Sequence, residues 1–159
     1  MKSLQTTLFT LSLILAVFLT TPHAYASLMA DDDFDSIEDE VNSLMERFDK
    51  ESLVELSNRL VKMAHEEELD RDYYNAIKHY RQGLRIRERL NLHSTKSYAN
   101  ILLLTSMTEH SFGASCDAKE HAEKAKSLYL KLNHDKEAKM ADNGIHQYKN
   151  ACLVMVVNG

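Results

Sequence analysis

The chain has 159 residues, of which 44% are hydrophobic and 27% are charged, a composition typical of one globular domain rather than a multidomain enzyme. Only 4 Gly, 1 Pro and 0 Trp are present, which argues against collagen-like, disordered and turn-rich β-sandwich chains. The formal net charge is −5, so nucleic acid is a poor candidate partner, because phosphate binding requires a basic surface. These exclusions leave an all-α fold.

Residues 1–26 have the pattern of a cleavable signal peptide. Lys2 precedes an apolar run, Pro22 interrupts that run, and Ala24 and Ala26 are the small residues that a signal peptidase recognises. We therefore expect cleavage after Ala26 and a periplasmic or secreted protein without stable membrane insertion. A retained membrane anchor is the alternative, but the run is short for a bilayer span and no basic segment follows it.

An acidic segment follows the expected cleavage site. Residues 27–33 are interpreted as a flexible lead-in, and carboxylates continue into the first predicted helix, where the positive end of the helix dipole favours them. We interpret the segment as a solvated cap that aids solubility. Its acidic residues are Asp31, Asp32, Asp33, Asp35, Glu38, Asp39 and Glu40.

An internal repeat organises the rest of the chain. Residues 74–91 align without a gap on residues 116–133, an offset of 42, and small residues recur at the same steps. A period of this size is typical of stacked helical hairpins, none of which buries its apolar face alone. The segments between also have helical periodicity. We predict a helical domain over 34–153, with helices at 34–48, 52–69, 73–91, 95–111, 116–132 and 136–153, and a C-terminal tail over 154–159.

Capping residues define the boundaries of two of these helices. Ser52 and Glu55 have the spacing of a capping box and predict the start of the second helix. Ser94 is expected to open the fourth helix and Gly113 to end it.

The second helices of the hairpins resemble those of tetratricopeptide repeats. Ala76, Tyr80 and Gly83 have the small, aromatic, small spacing of that family, and the segment that begins at Gly83 resembles the 42-residue repeats of kinesin light chains. The first helices depart from the family pattern, with Glu67 and Glu109 where an aromatic residue is usual. The resemblance implies a short right-handed stack of antiparallel helix hairpins, about two and a half repeats long, that binds rather than catalyses.

The resemblance also implies a concave face, lined by the first helices, that holds a peptide or a partner helix. We expect apolar side chains there, bordered by imidazoles and by amides that hydrogen-bond a peptide backbone. The alternative is that some of them are core, because a phase error of one residue rotates a helix by about 100°. The candidate partner-binding residues are Asn58, Val61, His65, Asn100, Leu103, Met107, His110, Ile145 and Lys149, with Asp142 on the same face.

Both cysteines lie in the part of the chain that is expected to be exported. An even number of cysteines in an oxidising compartment predicts a disulfide between Cys116 and Cys152. Antiparallel stacking supports the pairing, because it brings the start of the fifth helix to the end of the sixth. Two separate thiols, one of them buried, are the alternative.

A basic stripe follows the third helix, at Lys78, Arg81, Arg85 and Arg89. In a repeat stack these positions point outward, so a solvated face is the first interpretation. Docking of an acidic partner, or of the chain's own Asp-rich start, is the alternative.

Motifs for catalysis and metal binding are not found in the sequence. His65 begins a segment like a zincin helix, but Leu69 stands where the second His ligand is required. One group of residues has a spacing that suggests zinc or copper ligands: His110, Cys116 and His121. We interpret them instead as ordinary surface residues. We therefore predict no enzymatic activity, no cofactor and no metal.

The leading functional hypothesis is an exported protein–protein interaction module, whether an adaptor, an assembly factor or a chaperone-like peptide holder. The alternative is a secreted effector or inhibitor that acts through its convex or terminal surface. The sequence leaves open whether the chain acts alone or as a homodimer.

Overall fold

A computed structural model describes the backbone of residues 32–158 and the side chains of residues 36–153. Over that range the chain forms six α-helices and no strand, which confirms the predicted all-α class. The expected signal peptide and most of the expected lead-in lie outside the described residues. The helices are α1 (Asp32–Arg47), α2 (Lys50–Leu69), α3 (Tyr73–Arg89), α4 (Lys96–Phe112), α5 (Ser115–Lys131) and α6 (Asp135–Asn158).

Consecutive helices from α2 to α6 pack against one another, and α1 packs against α3. The neighbours are antiparallel: His79 near the start of α3 bonds to Glu67 near the end of α2, and Arg87 near the end of α3 bonds to Ser57 near the start of α2. None of the described helices combines the length and the apolar character that crossing a membrane requires.

The 42-residue period recurs in the local geometry of the backbone. The bounds of α3 and α5 differ by that offset at both ends. Left-handed residues follow the same rule: Arg71 (φ 63°) corresponds to Gly113 (φ 101°), and Asn91 corresponds to Asn133 (both φ 58°). The hairpins α2–α3 and α4–α5 therefore turn at equivalent positions.

Two of the predicted helix starts are wrong, and one predicted end is confirmed. Asp49 caps α2, because its carboxylate accepts a hydrogen bond from the Ser52 N–H at 2.8 Å, so the helix begins before the expected capping box. Asp is as good an N-cap as Ser and stands earlier in the chain. Thr95, not Ser94, caps α4. Gly113 ends α4 in the left-handed conformation, as expected.

The outer bounds of the helical domain also differ from the prediction. α1 begins at Asp32, inside the expected lead-in, and α6 continues to Asn158, through most of the expected tail at 154–159. Neither Gly nor Pro occurs between residues 145 and 158 to stop α6.

Three apolar clusters hold the helices together. The main one runs from α2 to α6 and includes Ala76, Tyr80, Ala125 and Tyr129. A second joins α1 to α2 and α3, and a third joins α5 to α6. Small residues permit close helix packing: a Cβ added at Gly83 would lie 3.3 Å from Val61 Cγ2.

Cys116 and Cys152 form a disulfide, with their Cα atoms 4.8 Å apart. The predicted pairing is thereby confirmed. The bond joins the first turn of α5 to α6, because the antiparallel arrangement places those two segments side by side.

Candidate functional site

One face of α4 is open to solvent, although the helix is packed between its neighbours. Asn100 and Met107 are exposed, Met107 to 45%, and Leu103 between them is half-buried. The flanking positions Ile101 and Leu102 are buried. Asn100, Leu103 and Met107 thus lie along one side of α4, and we call this line the α4 stripe.

Two asparagines one period apart are held by hydrogen bonds from the following helix. Tyr129 donates its hydroxyl hydrogen to Asn100 Oδ1 at 2.8 Å, and Arg87 Nη2 donates to Asn58 Oδ1 at 2.6 Å. Arg87 and Tyr129 are themselves one period apart, and both are buried. Each bond fixes its amide with Oδ1 turned inward. In the described part of the chain, neither Nδ2 donor has a hydrogen-bond partner.

The apolar residues predicted for the same face are partly core. Val61 and Leu103 are half-buried and pack against the main cluster. Ile145 is also half-buried, and it packs with Ala118 and Ala122 between α5 and α6. α6 is the last helix, and it turns this apolar side towards α5.

The polar residues predicted for the same face lie in different environments. His110 bonds to Ser115 Oγ at 2.9 Å and to Gln147 Nε2 at 3.0 Å, which places its ring at the junction of α4, α5 and α6. Burial lowers the pKa of His110. His65 and Lys149 are exposed. Asp142 accepts a hydrogen bond from Lys126 on α5 at 2.7 Å.

A buried ionic network, not foreseen from the sequence, lies between the two hairpins. Arg81 Nη2 lies 2.7 Å from Glu109 Oε1, and His121 Nδ1 lies 2.7 Å from Glu109 Oε2. The Glu109 side chain is fully buried. One period earlier, His79 and Glu67 form the same contact at 2.7 Å. The histidine–glutamate pair is thus a repeated feature of the fold.

Sequence signals for this network were present. His79 and His121 are identical residues at the same step of the aligned segments, and Glu67 and Glu109 stand at the same step of the two first helices. In the family pattern the same two glutamates are departures, because an aromatic residue is usual at their positions. A glutamate and a histidine that both recur with the same period indicate that the contact between them is repeated within the chain.

The basic stripe was expected to point outward, and Arg81 contradicts this, because its side chain is only 8% exposed. The rest of the stripe faces α1, so the intramolecular alternative describes it better than a solvated face. The ion pairs join Lys78 to Glu40 at 3.7 Å, Arg85 to Glu38 at 3.6 Å, and Arg89 to Glu38.

Two of the three residues suggested as metal ligands are engaged in other contacts. Cys116 is in the disulfide, and His121 is bonded to Glu109. Among the residues that the structure describes, no group of three or more His, Cys, Asp or Glu side chains is placed to hold a metal ion.

A second open surface is a groove between α3 and α5 of about 690 Å³. Tyr98 and Leu102 of α4, Leu128 of α5 and the C-cap residue Leu132 line it. It continues into a smaller cavity of about 230 Å³ beside Arg81, and Glu88 and Lys124 line both. We call this the α3–α5 groove.

Comparison with models of known protein families, with curated proteins and with solved structures finds no match.

Proposed function

We propose that the protein is an exported protein–protein interaction module, an adaptor, assembly factor or chaperone-like peptide holder, that binds an extended peptide along the α4 stripe and the equivalent part of α2. The observation that supports this proposal is the repeated asparagine. Asn58 and Asn100 are one period apart, and Arg87 and Tyr129 hold both amides with Oδ1 inward.

Such amides suit the backbone of an extended peptide. Each exposed Nδ2 can donate to a peptide carbonyl, while Leu103 and Met107 provide apolar contact for side chains. A donor that is already fixed loses little conformational entropy when a ligand binds. Two fixed donors, one on each hairpin, favour a ligand that spans both hairpins.

The proposal includes tetratricopeptide-like repeats in a right-handed stack. It is supported by the shared bounds of α3 and α5, by the shared left-handed turns, and by the small residues Gly83 and Ala125 at corresponding buried positions. Helical stacks of this kind generally bind partners rather than catalyse reactions.

Export is supported by the disulfide, because disulfides persist in oxidising compartments and are rare in reducing ones. We expect the intact mass of the exported protein to correspond to Ser27–Gly159. An uncleaved Met1 in the exported fraction would contradict this. Residence in the periplasm would favour the interaction module, whereas release into the medium would favour the secreted effector or inhibitor.

Peptide binding is tested by selecting from a displayed library of random peptides on the purified protein. Enriched peptides are then titrated against an Asn58→Asp, Asn100→Asp double variant. This change keeps the oxygen that accepts from Arg87 or Tyr129 and removes the outward N–H donors. We expect affinity to fall on the order of tenfold or more, since two hydrogen bonds are lost.

The matched control is Asn143→Asp with Asn150→Asp, two exposed residues of α6 with the same change in charge. This control should bind the selected peptides as the unmodified protein does. Equal loss in both double variants, or enriched peptides that bind the first variant at full affinity, would refute the assignment of the asparagines.

A further inference from the structure

We propose that the α3–α5 groove is a second interaction surface, which binds an acidic amphipathic helix of a partner protein. The groove is distinct from the α4 stripe. Tyr98, which lines the groove, and Asn100, which begins the stripe, are separated by about 200° around α4. Both surfaces are therefore open to ligands at the same time.

The first argument is that the chain already binds such a helix with equivalent residues. α1 packs through Ile37 and Val41 onto an apolar surface made by α2 and α3. The residues 42 positions later in the chain line the α3–α5 groove. The corresponding pairs are Leu56 and Tyr98, Leu60 and Leu102, Ile86 and Leu128, and Leu90 and Leu132.

The second argument is the chemistry with which α1 is held. Glu38 of α1 pairs with Arg89, and Glu40 accepts a hydrogen bond from Gln82. Both partners belong to α3. A helix with an apolar face and a flanking row of carboxylates is thus the kind of ligand that this type of surface accepts.

The third argument is a pair of lysines that line the α3–α5 groove. Lys124 and Lys131 line it at the positions that correspond to Gln82 and Arg89. In the described part of the chain, neither lysine has an ion-pair partner. They are exposed, and they stand where α1 finds its partners on α3.

Most of the carboxylates that line the same groove already have a hydrogen-bond or ion-pair partner. Glu88 accepts hydrogen bonds from Arg85 and Tyr98, and Glu123 pairs with Lys119 at 3.4 Å. Glu120, beside the smaller cavity, is the carboxylate of this lining for which the described residues provide no cation. The residues that line the groove and the smaller cavity carry four positive and four negative formal charges, so the lining is balanced overall. Its two lysines without an ion-pair partner among the described residues are the groups that complement the carboxylates of an acidic helix.

The test uses a synthetic peptide with the sequence of residues 32–48, labelled with a fluorophore, as an acidic amphipathic probe. Its binding to the full protein is followed by fluorescence anisotropy. We expect saturable binding that weakens on the order of tenfold or more in a Lys124→Glu, Lys131→Glu variant, and that weakens with added salt.

The matched control is Lys136→Glu with Lys139→Glu, two exposed lysines of α6 outside the groove, with the same change in net charge. Probe affinity should be unchanged in this control. It should also be unchanged by Asn58→Asp with Asn100→Asp, so failure of the peptide-holder proposal and failure of this one are distinguishable.

Three outcomes would overturn the proposal. The first is no binding of the probe. The second is binding that is weakened by Lys78→Glu with Arg89→Glu but not by the Lys124, Lys131 variant, because the probe would then replace α1. The third is a concentration-dependent dimer that the Lys124, Lys131 variant dissociates, because the occupant would then be a second copy of this chain.

Discussion

Arg81 and Glu109 form an ion pair that is almost completely removed from solvent, with side chains 8% and 0% exposed. Two guanidinium nitrogens lie 2.7 and 3.2 Å from the same carboxylate oxygen, and His121 contacts the other oxygen. Because Arg81 belongs to α3 and Glu109 to α4, the pair joins one hairpin to the next.

Removing one partner of this pair should be strongly destabilising. In Arg81→Met the carboxylate of Glu109 loses the cation that compensates its burial, and we expect a loss of about 3 to 5 kcal/mol in the free energy of unfolding. Urea unfolding followed by circular dichroism measures it.

The control for this prediction removes both charges. Arg81→Met with Glu109→Leu should be more stable than Arg81→Met alone, because no unpaired charge then remains buried. A stability of Arg81→Met within about 1 kcal/mol of the unmodified protein would mean that the network contributes little to the docking of the hairpins.

Features with a clear period were predictable from the sequence. Ala76 and Ala118, and Gly83 and Ala125, marked the close-packed face of the second helices, and all four are buried. The disulfide followed from the even cysteine count and the antiparallel order. The number of helices and the all-α class were therefore predicted correctly, because the spacing of small and apolar residues within a segment determines whether that segment forms a helix.

Contacts between distant residues were harder to predict. The spacing of Arg81 matches an exposed stripe, and only the packing of α4 shows that its partner is Glu109. Asn58 and Asn100 were predicted on the open face, but their bonds to Arg87 and Tyr129 depend on side-chain reach across a helix pair. The packing of Ile145 against Ala118 and Ala122 also depends on how α6 lies on α5, which the periodicity of α6 alone does not give.

The packing of the second hairpin is tested at Ala125, which is fully buried. Ala125→Leu should force the neighbouring helices apart and reduce the free energy of unfolding by about 1 to 3 kcal/mol. Glu123→Ala, on the exposed side of the same helix, is the control and should change it by no more than about 0.5 kcal/mol. A larger effect at Glu123 than at Ala125 would reverse the assigned face of α5.

His110 makes stability depend on pH. Burial lowers its pKa in the folded protein below the ordinary value of 6.5. The unfolded chain therefore takes up a proton more readily, so the contribution of His110 to stability is present above about pH 6.5 and is lost as the pH falls.

His110→Gln should remove this dependence, because Gln does not titrate. We expect the unmodified protein to lose more stability than the variant between about pH 7.5 and about pH 5.5 in urea unfolding. Parallel pH profiles of the two proteins would show that His110 is not the group responsible.

The disulfide should stabilise α6 in particular. It closes a loop with a sequence separation of 36 residues, which corresponds to about 3 to 4 kcal/mol on a chain-entropy estimate. As the last helix, α6 packs chiefly on α5, so reduction should increase hydrogen exchange there before it does so in α2 to α4. Cys116→Ala with Cys152→Ala is the control: it should show the same fast exchange without reductant and no response to reductant. Two freely titrating thiols in the native protein would contradict the bridge, and uniform loss of protection in all helices on reduction would contradict its local effect on α6.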